Sequence, residues 1–271
     1  MAFKVACVQL SSKNDMKSNI ERSLIFMAEA YERGADIIML PENIAMMASN
    51  AAELFDNTYP QDEHPALYAF SQFARNHKTI VLIGSLAIKP HGSEKLANRS
   101  FLIGKNGNII AQYDKIHLYD VSVEGGETHK ESDRFIFGNN AVIAPTEFAR
   151  IGMTICYDLR FAYLYRHLAQ NGAEIITVPS SFTQFTGQAH WHILLRARAI
   201  ETGCYIAAPA QTGTHPAGRK TFGHSLIVDP WGEVIMDLGE QEGVGIAEID
   251  IEKIYKTRKQ LPSIEHDRQF D

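Results

Sequence analysis

The chain has 271 residues, of which 45% are apolar and 21% charged, and a formal net charge of −6. Such a composition is that of a soluble globular protein, and a chain of this length can bury enough apolar surface for one large core. The acidic balance, with no basic run, argues against nucleic acid and anionic membrane surfaces, and no stretch approaches the roughly 18 apolar residues of a membrane span.

In chain order, the opening MAFKVACVQL lacks a long apolar region and a cleavage pattern, so it reads as a first strand over 3–10 rather than a signal peptide. A helix follows over 16–33, where Ile20, Leu24, Met27, Ala28 and Tyr31 recur at steps of three and four. Strands are expected over 36–40, 79–88, 99–103, 109–113, 141–144, 151–155, 174–178, 204–208, 224–228, 234–236 and 244–249. Further helices are expected over 65–77, 160–170 and 188–202. Several strands are rich in Ile and Val on both faces, as in a sheet covered on both sides. LIGKNGNII carries an Asn-Gly turn and IVDPWGEVI an Asp-Pro turn, both hairpin signals. Gly34, Gly172 and Gly203 stand where helix C-terminal stops belong. The polar tail from Glu252 onward reads as an arm, lying on the surface or on another subunit. With no repeat or linker, one α/β domain over 1–271 is the economical reading.

Cys7, Cys156 and Cys204 are an odd set without a CxxC pair, which implies no disulfide framework and a reducing, cytoplasmic setting. Polar residues that end strands mark the chemistry. In IIMLPEN four apolar residues lead through Pro41 to Glu42; in YDKIHLYD Lys115 follows the return strand of the hairpin; in TICYDLR Cys156 ends a strand. Alone, each reads as an ordinary residue: a loop carboxylate, a snorkelling lysine, a buried thiol. Together they fit a nucleophilic thiol, a carboxylate that takes its proton, and a cation that stabilises thiolate and oxyanion. The Tyr157 backbone N–H, directly after the thiol, could be a second oxyanion donor if the chain turns into a helix there. Arg160, four residues past Cys156, is the expected partner of a substrate carboxylate. Thr186 and Phe182, in the loop after the next strand, are expected to add a hydroxyl and a wall. HWH at His190 and His192 does not read as a metal pair, because residues two apart on a helix face apart and no third ligand stands nearby in sequence. His167 lies one helix after the thiol, but the aromatic-glycine context of papain-like enzymes is absent.

The contexts PEN, DKIHL and ICYDLR, with VACVQL, GAEIITVPSSF, TGQAHW, LLRARAIE and GHSLIVDPWG, resemble the nitrilase superfamily of carbon–nitrogen hydrolases over nearly the whole chain. The resemblance implies an α-β-β-α four-layer sandwich and a cofactor-free, metal-free cysteine amidase. It implies Glu42 as base, Lys115 as oxyanion cation, Cys156 as thioester-forming nucleophile and Glu131, in HKESDRF, as a second glutamate orienting Lys115. Pairing of subunits into a homodimer or higher homo-oligomer is implied by the same likeness. LLRARAIETGCYIAAPAQTGTH and RKTFGHSLIVDPWG look most like the deaminated-glutathione amidases. The alternatives are an omega-amidase acting on α-ketoglutaramate or α-ketosuccinamate, an N-carbamoyl amino acid amidohydrolase, or a silent binding protein. The chain departs from the family pattern at His192, where many relatives carry glutamate, and at Ala162, followed here by Tyr163.

Overall fold

The computed structural model describes residues 2–124 and 128–269. Sixteen strands form among them: β1 (Ala2–Gln9), β2 (Ile37–Met39), β3 (Ile80–Ile88), β4 (Ala97–Ile103), β5 (Ile109–Asp114), β6 (Asp120–Ser122), β7 (Thr128–Lys130), β8 (Val142–Pro145), β9 (Arg150–Met153), β10 (Ile175–Thr177), β11 (Tyr205–Ala208), β12 (Thr212–Thr214), β13 (Lys220–Phe222), β14 (Leu226–Val228), β15 (Val234–Asp237) and β16 (Gly243–Asp250). The α-helices are α1 (Met16–Glu32), α2 (Ala51–Asp56), α3 (Pro65–His77), α4 (Ala162–Gln170), α5 (Gln184–Thr202) and α6 (Ile251–Gln260).

Two six-stranded sheets carry the fold, ordered β16-β1-β2-β3-β4-β5 and β15-β14-β11-β10-β9-β8. In each, three central strands run parallel and the flanking ones antiparallel. The period-two alternation of strand side chains assigns the layers. Phe3, Val5 and Cys7 of β1 join Ile151, Met153 and Ile175 of the other sheet in one core cluster. Ala6 and Val8 face the opposite way, into a second cluster with Met27 and Ala30 of α1 and Phe70 and Ala74 of α3. On the far side, α4 and α5 bring Leu164, Leu168, Trp191, Leu195 and Ala199 against the second sheet. The result is the α-β-β-α sandwich, in one domain.

The twelve expected strands are all present; β6, β7, β12 and β13, three residues each and largely polar, carry too little pattern to be seen in sequence. Two helix boundaries differ from expectation. The α5 helix starts at Gln184, four residues before the expected Gln188, because the Thr183 side chain caps it by accepting from Thr186 N. Residues 156–160 form a tight 3-10 turn, and α4 begins only at Ala162. The polar tail carries α6, whose Ile254 is fully buried and whose Arg258 donates to the Thr202 and Ala173 carbonyls.

Candidate active site

The parallel strands of both sheets deliver their C-terminal ends to one place, where side chains can leave the sheet edge without breaking its ladder. From β2, Pro41 carries the chain to Glu42, which is 2% exposed. This loop lies against β3 so closely that a Cβ on Gly84 would meet the Leu40 carbonyl oxygen at 2.1 Å and Pro41 at 2.5 Å. Only glycine lets Glu42 settle there. Its Oε2 accepts from the Ser181 backbone N–H and from the Ser181 hydroxyl, both at 2.8 Å.

Lys115, directly after β5, is also 2% exposed. Its Nζ donates to Glu42 Oε1 at 3.0 Å and to Glu131 at 3.2 and 2.9 Å. Glu131 opens a 3-10 turn after β7 and is held by the Tyr119 N–H at 2.6 Å. Asn98 of β4 bridges the two carboxylates, donating to each at 3.1 Å. One ammonium thus sits between two largely buried carboxylates.

Cys156 adopts a left-handed backbone, φ 47°, a conformation that costs an L-residue energy and persists only where its surroundings enforce it. Two restraints do so. Its own N–H donates to the Pro179 carbonyl at 3.0 Å, and the buried Asp158 locks the turn. Asp158 accepts from Ile155 N at 2.8 Å, His117 N at 3.0 Å and the Tyr113 hydroxyl at 2.7 Å. The thiol leaves β9 at this bend beside Glu42 and Lys115, and both act on it electrostatically.

Burial pushes the Cys156 thiol up, the Glu42 carboxylate pushes the same way, and Lys115 opposes them without winning. The resting group is therefore a protonated thiol. Burial would also raise Glu42, but the ammonium of Lys115, the Ser181 bonds and the Arg219 charge outweigh it and bring Glu42 down to about 2. Burial works against a charged Lys115, yet Glu131 and Glu42 more than compensate and hold it above the usual lysine range. The centre combines an ionised carboxylate, a fixed ammonium and a neutral thiol: an acceptor already poised for the proton that the sulfur must lose.

These groups line a cavity of about 530 Å³, together with Tyr157, Phe182, Thr186, Arg134 and Arg219. Phe182 and Thr186 stand in its wall as expected, the Thr186 hydroxyl paired with that of Thr183 at 2.9 Å. Arg160 does not line it. The 3-10 turn carries Arg160 into a neighbouring cleft with Tyr157, Thr186 and His190, its guanidinium 5.2 Å from the Phe182 ring centroid. The expectation that Arg160 faces the reacting centre assumed an α-helical turn after Cys156, and the turn is tighter.

Four participants were not singled out in sequence: Asn98, Ser181, Arg134 and Arg219. Arg219 donates to the Ser181 carbonyl at 2.8 Å, while its buried Nε has no hydrogen-bond partner among the described residues. Neither Arg134 nor Arg219 forms an ion pair with a carboxylate among the described residues. RKTFGHS held the only signal for Arg219, a cation beside a strand that returns to the site.

A model of the carbon–nitrogen hydrolase family matches residues 4–259. A protein of Synechocystis named deaminated glutathione amidase is 38% identical over 268 residues, 97% of each chain. The crystal structure of the Caenorhabditis elegans NitFhit protein superposes with TM-score 0.92 at 33% identity, over 98% of this chain and 65% of that longer one. Saccharomyces cerevisiae Nit3, described as a member of branch 10 of the nitrilase superfamily, gives TM-score 0.86 at 28% identity over 96% and 94% of the two chains.

Proposed function

The chain belongs to the carbon–nitrogen hydrolase family and is a cysteine-dependent amidase, and on that premise we propose that its substrate is deaminated glutathione. The observation that carries the chemistry is the ammonium of Lys115, pinned between Glu42 and Glu131 beside the bent Cys156. As Cys156 Sγ attacks the amide carbon, Glu42 takes the thiol proton, so no free thiolate need exist beforehand. The carbonyl oxygen becomes an oxyanion facing Lys115 Nζ and the Tyr157 N–H, the latter free of an intrahelical acceptor at the start of its turn. Collapse breaks the C–N bond, and Glu42 returns the proton to the leaving amine. Water then enters, gives a proton to Glu42, and attacks the thioester; collapse releases the acid and the protonated thiol. Glu131 and Asn98 keep the ammonium aimed throughout.

The substrate assignment rests on charge and size. Deaminated glutathione carries two carboxylates, one at its α-keto end and one at its glycine end, whereas α-ketoglutaramate carries one. The cavity offers two guanidinium groups, Arg134 and Arg219, that form no ion pair with a carboxylate among the described residues, and its volume lies in the range of small-ligand sites. The named relative at 38% identity supports the same choice. Amine release measured across deaminated glutathione, α-ketoglutaramate, N-carbamoyl amino acids and simple nitriles tests the assignment. The highest kcat/KM is expected for deaminated glutathione; preference for α-ketoglutaramate would make the protein an omega-amidase, and activity on the last two alone would overturn the reading. Retained turnover in Cys156→Ala would remove the nucleophile assignment.

Two further readings accompany this one. The three buried, unpaired cysteines fit a reducing cytoplasm. The exposed Ile193 and Ile200 on one side of α5, with exposed Trp231 next to the glycine that packs on Ile200, fit the surface of a homodimer. Light scattering on the purified protein decides the second.

A further inference from the structure

Away from the catalytic cleft, three ligand-type side chains from distant parts of the chain meet. His192 comes from α5, His224 from the loop between β13 and β14, and Asp237 from the end of β15. His192 Nε2, His224 Nδ1 and the Asp237 carboxylate lie within 4.8 Å of one another. We propose that they form a binding site for a divalent transition-metal ion, zinc in the first place, that clamps α5 to the edge of the second sheet.

The donor set is two imidazoles and one carboxylate, which suits zinc and leaves a fourth tetrahedral position for water. Tetrahedral zinc holds neighbouring ligand atoms about 3.3 Å apart. Here His192 Nε2 is 2.9 Å from Asp237 Oδ2, and His224 Nδ1 is 3.0 Å from Asp237 Oδ1. Admitting the ion needs these nitrogen–oxygen pairs to open by a few tenths of an ångström, and the two ring nitrogens, within 4.8 Å of each other, to settle to the same spacing. The three side chains are 36%, 23% and 29% exposed, so they have room to make it. Binding requires only that each neutral imidazole carry its hydrogen on the other ring nitrogen, so that the inward nitrogens present lone pairs.

The surroundings hold the ligands in place. The Gly239 N–H donates to Asp237 Oδ1 at 2.8 Å and fixes the carboxylate. His224 has a left-handed backbone, φ 53°, held by its N–H to the Gly239 carbonyl at 2.6 Å and by Trp191 Nε1 donating to its own carbonyl at 2.8 Å. The Phe222 ring stacks on His224 with centroids 4.5 Å apart. No lysine or arginine pairs with Asp237 among the described residues, so no resident cation competes for its charge. The linear spacing of HWH pointed away from a metal because the second and third ligands, His224 and Asp237, lie 32 and 45 positions after His192.

The test uses the full chain carrying Cys156→Ala, which removes the catalytic thiol as a zinc ligand. Titration with zinc chloride by calorimetry should show one ion per chain, and zinc should raise the melting temperature. Adding His192→Gln or, separately, Asp237→Asn should weaken the affinity at least about tenfold and abolish the thermal shift. Cobalt(II) in place of zinc should give the visible bands of a tetrahedral site with no thiolate charge-transfer band. Absence of zinc binding to the Cys156→Ala protein, or a loss below tenfold in both double variants, would overturn the proposal.

Discussion

Replacing Lys115 by methionine removes the cation and keeps most of the volume. In the intact protein the ammonium touches Glu42 at 3.0 Å and Glu131 at 2.9 Å, with Lys115 and Glu42 each 2% exposed. Its loss leaves two buried carboxylates with Asn98 as their shared donor, and breaking a buried pair of this kind costs about 3–5 kcal/mol of stability. Losing a preorganised oxyanion contact costs a further hundred- to thousandfold in rate, about 2.7–4 kcal/mol in activation free energy. The two losses separate experimentally. Urea unfolding reports the first; kcat/KM on deaminated glutathione, with released α-ketoglutarate followed by coupled reductive amination, reports the second. The stability deficit also carries a pH signature. Glu42 is depressed to about 2 chiefly by Lys115 acting against burial; without the ammonium, burial favours its protonated form. The deficit of Lys115→Met relative to wild type should therefore shrink as pH falls from about 8 to about 5. A folded Lys115→Met protein with kcat/KM within tenfold of wild type would refute the oxyanion role, and a deficit independent of pH would refute the electrostatic account of Glu42.

The acid side of the rate profile should follow unfolding rather than titration of the base. His64 and His215 are each brought down to about 4 by burial, so the unfolded chain binds more protons than the folded one below about 6.5, and stability on the order of 3 kcal/mol per histidine is lost between about 6.5 and about 4. Glu42 stays ionised across that window, so a limb in kcat/KM centred near pH 5–6 with near-UV dichroism unchanged would contradict its assignment as base. Gly84→Ala should lower kcat by at least about tenfold while retaining the fold, because the added methyl displaces the Leu40–Pro41 backbone that sets Glu42; unchanged kcat would show that the loop yields without moving the carboxylate. Arg219→Met should raise KM for deaminated glutathione at least about tenfold and affect α-ketoglutaramate less, with Arg160→Met changing either by less than threefold, since Arg219 lines the cavity and Arg160 the cleft beside it; the reverse ranking in steady-state kinetics would return the carboxylate contact to Arg160.

Much of the architecture was legible along the chain. The twelve foreseen strands announce themselves by short apolar runs, α1 and α3 by apolar steps of three and four, and Gly34, Gly172 and Gly203 stand at helix ends with positive φ. Glu42, Lys115 and Cys156 could be picked out because each is a reactive type placed where a strand stops. Local rules suffice for such features, since a side chain's face and a strand's end depend on near neighbours.

What the chain order could not decide is what meets across the sandwich. The depressed Glu42 depends on Lys115, 73 residues on, and on Ser181, 139 residues away. The left-handed Cys156 depends on the Pro179 carbonyl and on the Asp158 cluster with Tyr113 and His117, so the tightness of the turn, and with it the place of Arg160 in the adjoining cleft, lay outside any periodicity. His192 looked solitary beside His190, and only the return of β15 sets Asp237 against it. Residue types and their strand ends were determined by sequence; the charge state of the thiol, carboxylate and ammonium was decided by the tertiary structure. The reason is physical: proton affinities follow burial and charges within a few ångströms, and those distances exist only once the two sheets have closed on each other.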